Sequence, residues 1–245
     1  MMKVVVVLEH RFMRTPDGNV WTQSPFSYRF WTRYLRVFDQ VDVVARVQDV
    51  PSVSDEYRQA NGISVRIVPV PYYHGPHEYL RRAHEVKRVV RESVSPNDAV
   101  VLRVSSTLAN CLVPKLRRSG QPYGVEVVQD PYDVLAPGSI DHPLRPLFRR
   151  WFTDQLRRQC RTSCAASYVT EFALQKRYPT APSTWSTHCS SVELPDEAFV
   201  SEALPLMEGR SGFHLVDVGT LDQLYKAPDV LLRAVAQCVD RGLNL

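Results

Sequence analysis

Three short polar groups stand where this chain could do chemistry. The first follows the run Val4 to Leu8 and holds Glu9, His10 and Arg11, then Asp17, Gly18 and Asn19. A continuous apolar run bounded by polar turn residues predicts a strand buried on both faces. In sheets of such strands, ligands gather outside the carboxyl ends. The stretch from Glu9 to Asn19 is therefore the first candidate loop, and Gly18 and Asn19 permit close backbone approach to a ligand. The second group, Gln129 and Asp130, follows at once on the apolar run Tyr123 to Val128. The third is Gly219 and Thr220, after Phe213 to Val218, with Lys226 just ahead of a helix opened by Pro228. Each group has a plainer reading. Asp17-Gly18 makes a tight turn, Asp130 before Pro131 makes an Asx turn, and Lys226 is a solvated helix-end lysine.

The elements that must position these groups alternate between strand and helix. Ser24-Pro25 predicts a helix start, with Ser as N-cap and Pro in the first turn. Phe30, Trp31, Tyr34, Leu35 and Phe38 form one apolar side of that helix, and Arg29, Arg33 and Arg36 face away. Strands are expected over Val41 to Val47, Ile63 to Val70, Ala99 to Val104, Tyr123 to Val128, Ser163 to Tyr168 and near Thr184 to Thr187. Pro76 opens a helix with Leu80, Ala83, Val86, Val90 and Val94 inward. Ser105-Ser106-Thr107 caps another, carrying Leu108, Cys111, Leu112 and Leu116 and stopped by Gly120, in which Pro114 should cause a kink or an early end. Leu144 to Cys160 reads as a long basic helix, and Thr170 to Tyr178 as a short one. The pattern restarts with a strand over Phe213 to Val218 and a helix with Leu231, Leu232, Val235, Cys238 and Val239 inward. The fold class is therefore α/β, a mostly parallel sheet flanked by helices. Residues 1–205 form the first domain, 206–212 a linker, and 213–245 the truncated start of a second α/β domain. The alternative is that the last segment completes the first sheet.

Composition narrows the field. The chain has 245 residues, a net charge of +4 and 44% hydrophobic residues, ordinary for a globular protein. Its arginines are scattered along helices, which leaves room for weak attraction to an anionic membrane surface but gives no nucleic-acid footprint. The five cysteines are odd in number and without paired spacing, so reduced thiols and a cytoplasmic setting are expected. His74 and His77 flank Gly75-Pro76, which is loop chemistry, and no metal site is expected. No signal peptide and no membrane-spanning run is read. The glycine fingerprints of dinucleotide and P-loop proteins are absent, as is the hydrolase nucleophile elbow.

Taken together, the segments VVVVLEHRF…PDGN, SYRFWTRYLRVFDQVDVVARV, VEVVQDPYD, SYVTEFALQKRYP and VGTLDQLYKAPDVLLRAVAQCVDRG resemble a family 4 glycosyltransferase of the GT-B fold. The resemblance covers almost the whole chain but only about the first half of such an enzyme. It implies two Rossmann-like domains facing each other across a cleft, with the acceptor mainly on the first and the nucleotide-sugar donor mainly on the second. The expected reaction transfers a sugar from a nucleotide-diphosphate sugar to a saccharide or lipid-linked acceptor, with retention of configuration. It would serve cell-surface polysaccharide assembly, in the cytoplasm or at the inner membrane face, with no dedicated metal or cofactor. In that frame Asp130, beside Gln129, orients or deprotonates an acceptor hydroxyl. Glu9, Asp17, Gly18 and Asn19 bind the acceptor. Gly219, Thr220 and Lys226 face the leaving phosphate. Two positions depart from the pattern: Gln129 replaces the usual His, and Thr220 the usual Arg. Two other readings stay open: a non-catalytic acceptor-binding or partner-pairing domain, and a sugar-nucleotide epimerase of the same fold.

Overall fold

The computed structural model describes residues 2–192, 196–202, 215–217 and 226–243. In chain order the elements are β1 (Lys3–Arg14), β2 (Val20–Thr22), α1 (Tyr28–Leu35), β3 (Gln40–Asp49), β4 (Arg58–Gln59), β5 (Val65–Pro71), α2 (Gly75–Glu92), β6 (Ala99–Val104), α3 (Thr107–Ser119), β7 (Gly124–Val127), α4 (Pro131–Val134), α5 (Arg145–Thr162), β8 (Ala165–Tyr168), α6 (Ala173–Arg177), β9 (Trp185–His188) and α7 (Pro228–Asp240). The chain divides into two compact units, Met1–Asp130 with Thr153–Ser191, and Pro131–Phe152 with Val192–Leu245. The expected linker, residues 206–212, lies outside the described residues. No described helix is long and apolar enough to cross a membrane.

The first unit is an open α/β sheet. Its parallel strands run β5-β3-β1-β6-β7-β8-β9, and the short β2 and β4 join antiparallel at the far end of β1. Strand order reverses between β1 and β6. The crevice outside their carboxyl ends is the ligand position of doubly wound sheets. The valine run does what its uniformity requires. Val4 and Val6 pack against Phe30, Trp31 and Tyr34 of α1, while Val5 and Val7 pack against Val86 and Val90 of α2 and Leu108 and Leu112 of α3. At the amino ends of the strands, buried Asp42 accepts from Arg66 at 2.9 and 2.6 Å and pairs with Lys3 at 3.4 Å, tying β1, β3 and β5 together.

Several local expectations are corrected. β1 does not break at Glu9. It continues to Arg14 with a register shift against β3 between Val7 and Arg11, because Phe12 is buried again and β3 extends alongside it to Asp49. Helix α1 starts at Tyr28 behind Ser27, not at Ser24-Pro25. The Ser24 hydroxyl is instead engaged in a turn, where it accepts from the Phe26 N–H at 3.2 Å and bonds Thr22 Oγ1 at 2.8 Å. On α2 the inward residue is Tyr79, packed against the core, whereas Leu80 is 69% exposed. Pro114 does not end α3, which runs on to Gly120 at φ 67°. A proline inside a helix costs about 3 kcal/mol. Burial of Leu108, Leu112 and Leu116, at roughly 1.5–3 kcal/mol each, outweighs it. Ser106 caps α3, its Oγ accepting from the Ala109 N–H at 3.1 Å. Ser106→Ala is expected to cost about 1 kcal/mol, read as a lower urea midpoint at unchanged slope.

In the second unit, Arg145 donates to the Leu135 carbonyl at 2.9 Å, and Arg149 donates to the Tyr132 carbonyl at 2.7 Å and stacks on its ring. The expected inward face of α7 is only partly covered: none of its side chains is buried, Val235 and Cys238 are half-buried, and Leu232 is 69% exposed. Of the strand expected over Phe213 to Val218, only residues 215–217 are described. They carry no strand, and Leu215 and Val216 are exposed.

Candidate functional site

The crevice between β1 and β6 is occupied by the protein's own carboxylate. The irregularity in β1 turns Glu9 toward the start of α3, where Glu9 Oε2 accepts from the backbone N–H of Thr107 at 2.9 Å and of Leu108 at 3.4 Å. The Ser106 hydroxyl adds a third donor at 3.4 Å. A helix N-terminus with unsatisfied N–H groups is a ready anion site, and here Glu9 fills it. Its other oxygen accepts from the Tyr73 hydroxyl at 3.0 Å and pairs with Arg46 Nη2 at 2.9 Å. Arg46 in turn donates from Nη1 to the Tyr73 carbonyl at 2.9 Å and lies over the Tyr73 ring. Burial and the neighbouring Glu9 charge push the Tyr73 hydroxyl well above the ordinary tyrosine range, so it stays a donor. The Arg46 side chain is only 11% exposed, and its buried Nε has no hydrogen-bond partner among the described residues. A buried orphan donor is costly in a folded protein.

Beside this pair opens a cleft of about 500 Å³, lined by Glu9, His10, Arg11, Thr22, Ser24, Arg46 and Tyr57 among others. His10 sets its character. Nε2 bonds Thr22 Oγ1 at 2.9 Å and Ser24 Oγ at 3.2 Å, and the ring packs edge-on against Phe12 and Phe26. Burial first, then the charges of Arg46 and Arg11, push its pKa down to about 4. The ring is neutral at physiological pH and can exchange hydrogen bonds with hydroxyls in either sense. The cleft thus presents a neutral imidazole, two hydroxyls, a guanidinium and an anchored carboxylate. That set suits a polyhydroxylated ligand.

The other expected site residues lie elsewhere. Asp17, Gly18 and Asn19 form the tip of the β1–β2 hairpin, on the order of 15 Å further along the strand than Glu9. Asp17 accepts from the Thr15 hydroxyl at 2.5 Å and from the Asn19 N–H at 3.1 Å, with Gly18 at φ 83°. These bonds, the Thr15 one foremost, hold the Asp17 carboxyl below its ordinary range. Asp130, past the end of β7, pairs with Arg177 and accepts from the Tyr178 hydroxyl at 2.5 Å, while adjacent Gln129 is exposed. Lys226 is exposed just before α7. Gly219 and Thr220 lie outside the described residues. Sequence reasoning missed Arg46, Tyr73, Thr22 and Ser24 as parts of the site. The available signal was Arg46 itself, a cation inside the apolar run Val41 to Val47.

No protein-family model matches the chain. Over 224 residues it is 23% identical to Protein CapJ of Staphylococcus aureus, an alignment covering 90% of this chain and 54% of CapJ. The chain therefore spans about half the length of that curated relative.

Proposed function

We propose that the chain is the acceptor-binding half of a sugar-nucleotide-dependent glycosyltransferase of the GT-B type, and that the cleft beside His10 receives a saccharide hydroxyl. The observation that carries this reading is the placement of Glu9 on the first turn of α3. A nucleotide phosphate needs that helix N-terminus vacant. With the carboxylate already bonded there, the crevice repels phosphate and leaves the neighbouring neutral groups for an uncharged polar ligand. The strand order, the match over most of the chain to CapJ and the segment resemblances support the same assignment.

In this proposal the donor is a nucleotide-diphosphate sugar held mainly by a second α/β domain that residues 213–245 begin. The mostly exposed apolar face of α7 supports that, since such a helix is stable only when its stripe is packed. Gly219, Thr220 and Lys226 would meet the donor phosphates, and transfer would retain configuration. Asp130 is assigned a positioning role: its bonds to Arg177 and Tyr178 fix the loop after β7. A non-catalytic acceptor-binding module is the second reading, favoured by that tethering of the carboxylate which the sequence resemblance offers as a base.

Calorimetry and saturation-transfer NMR on this chain test the proposal. Neutral oligosaccharides are expected to bind saturably, with a loss of tenfold or more in Thr22→Val, while uridine and guanosine diphosphate leave the His10 ring signals unmoved. A nucleoside diphosphate that shifts those signals and saturates would overturn it.

A further inference from the structure

A second polar groove lies in the same unit, between α3 and the part of α5 from Thr153 onward. It encloses about 520 Å³ and is lined by Arg117 and Arg118 of α3, Arg158 of α5 and the amides of Asn110, Gln155 and Gln159, with no aspartate or glutamate in its wall. Other arginines of this unit that face the core or a strand end are paired: Arg46 with Glu9, Arg66 with Asp42, Arg103 with Glu126 and Arg177 with Asp130. The groove along α2 balances Arg81 and Arg82 with Glu78 and Glu85. In the α3–α5 groove that balance is missing. Arg118 donates Nε to its own helix, at the Pro114 carbonyl, 3.1 Å away, and neither Arg117 nor Arg158 meets a carboxylate among the described residues. Asp154, on the same helix as Arg158, pairs with Arg157 at 3.5 Å.

The floor of the groove is polar and fixed. Gln159 is 2% exposed, and its amide donates to Asn110 Oδ1 at 2.7 Å. Basic residues in the last turn of a helix complement the helix dipole, and that alone accounts for Arg117 and Arg118 on α3, though not for Arg158, which precedes the last turn of α5. It does not account for cations from two helices converging on one acid-free concavity with an amide floor. Planar guanidinium forks match phosphate oxygens in pairs, and amide N–H groups supply the remaining donors.

We propose that the α3–α5 groove binds a phosphate group, carried by a soluble phosphorylated ligand or by a lipid headgroup. The proposal stands independently of the saccharide cleft, whose residues it does not share. The test uses the full chain, inorganic pyrophosphate by calorimetry at low ionic strength, and co-sedimentation with phosphatidylglycerol vesicles against phosphatidylcholine vesicles. Arg117→Gln with Arg158→Gln removes two of the groove's three cations, one from each helix. Arg81→Gln with Arg82→Gln removes the same charge from α2 and is the control. Saturable binding of either phosphate probe is expected, weakened tenfold or more in the groove variant and within twofold of the parent in the control. Pyrophosphate binding without vesicle binding assigns a soluble ligand; phosphatidylglycerol binding lost in the groove variant assigns a headgroup. No saturable binding of either probe, affinity undiminished in the groove variant, or equal loss in both variants would each overturn the proposal.

Discussion

Glu9→Ala is expected to destabilise the protein by about 3–5 kcal/mol, the range for removing one partner of a largely buried ion pair. Arg46 would be left with little solvent and no counter-ion, and the first turn of α3 would lose the acceptor for two backbone N–H groups. Glu9 is itself 27% exposed, which places the expected value nearer the lower end. Urea denaturation gives the number, and a loss under about 1 kcal/mol would contradict the account. A double variant, Glu9→Leu with Arg46→Met, should recover much of the loss, because removing both charges leaves neither uncompensated. The single variant carries a second signature. With the carboxylate gone, the helix N-terminus and Arg46 together become an open anion site. Added sulfate should then stabilise Glu9→Ala through preferential binding to the folded state and leave the parent unchanged beyond the general salt effect.

The second large effect is a loss of stability on acidification through His10. Its pKa is 6.5 in an open chain and about 4 in the folded protein. Above pH 6.5 the ring is neutral in both states, and the native arrangement has its full stability. As pH falls from 6.5 toward 4, the unfolded chain takes up a proton that the folded chain refuses, so stability falls by up to about 1.4 kcal/mol per pH unit, roughly 3 kcal/mol in all. Below about pH 4 both states bind the proton and this contribution is flat. Carboxylates titrate in part of the same range, so the informative quantity is the difference between the parent and His10→Gln. Between pH 7, 5.5 and 4.5 the parent's unfolding free energy should fall progressively relative to that of His10→Gln. Parallel curves would show that the ring is not held neutral. The groups that enforce the shift are the apolar rings of Phe12 and Phe26 and the cations Arg46 and Arg11.

The architecture was largely legible in the sequence, because it rests on strong period-independent signals. Val4 to Val7 could only be a strand covered on both faces, Ala99–Val104 appeared with its expected bounds, and Ser106 and Gly120 bracket α3 as their chemistry predicts. The errors came where tertiary contacts outweigh local preference. The polar residues after Leu8 suggested a loop, but Phe12 finds the core and draws β1 on to Arg14. Pro114 was overridden by the leucines beside it. The site was harder. Glu9 was named, but for hydroxyl recognition, and no sequence rule says that a carboxylate near position 9 will cap a helix starting at Thr107. Arg46, Thr22 and Ser24 reach the same place from separate strands and turns, and proximity of that kind has no signature in local spacing. Asp17 and Asp130 were attractive as isolated acids; Asp17 is engaged by Thr15 and Asn19 within its own turn, and Asp130 by Arg177 and Tyr178, which only the folded chain brings close.

The bond from Glu9 to the start of α3 spans 98 positions of the chain. The opening turn of that helix is thus completed by a residue made long before it. Until β1 has docked beside β6, α3 lacks its acceptor and should fray, so protection of the Thr107 amide from hydrogen exchange reports on a pairing two elements away. A contact of that separation is also slow to find. Strand docking and helix completion should therefore appear in one kinetic phase, with the amide and the central sheet becoming protected together.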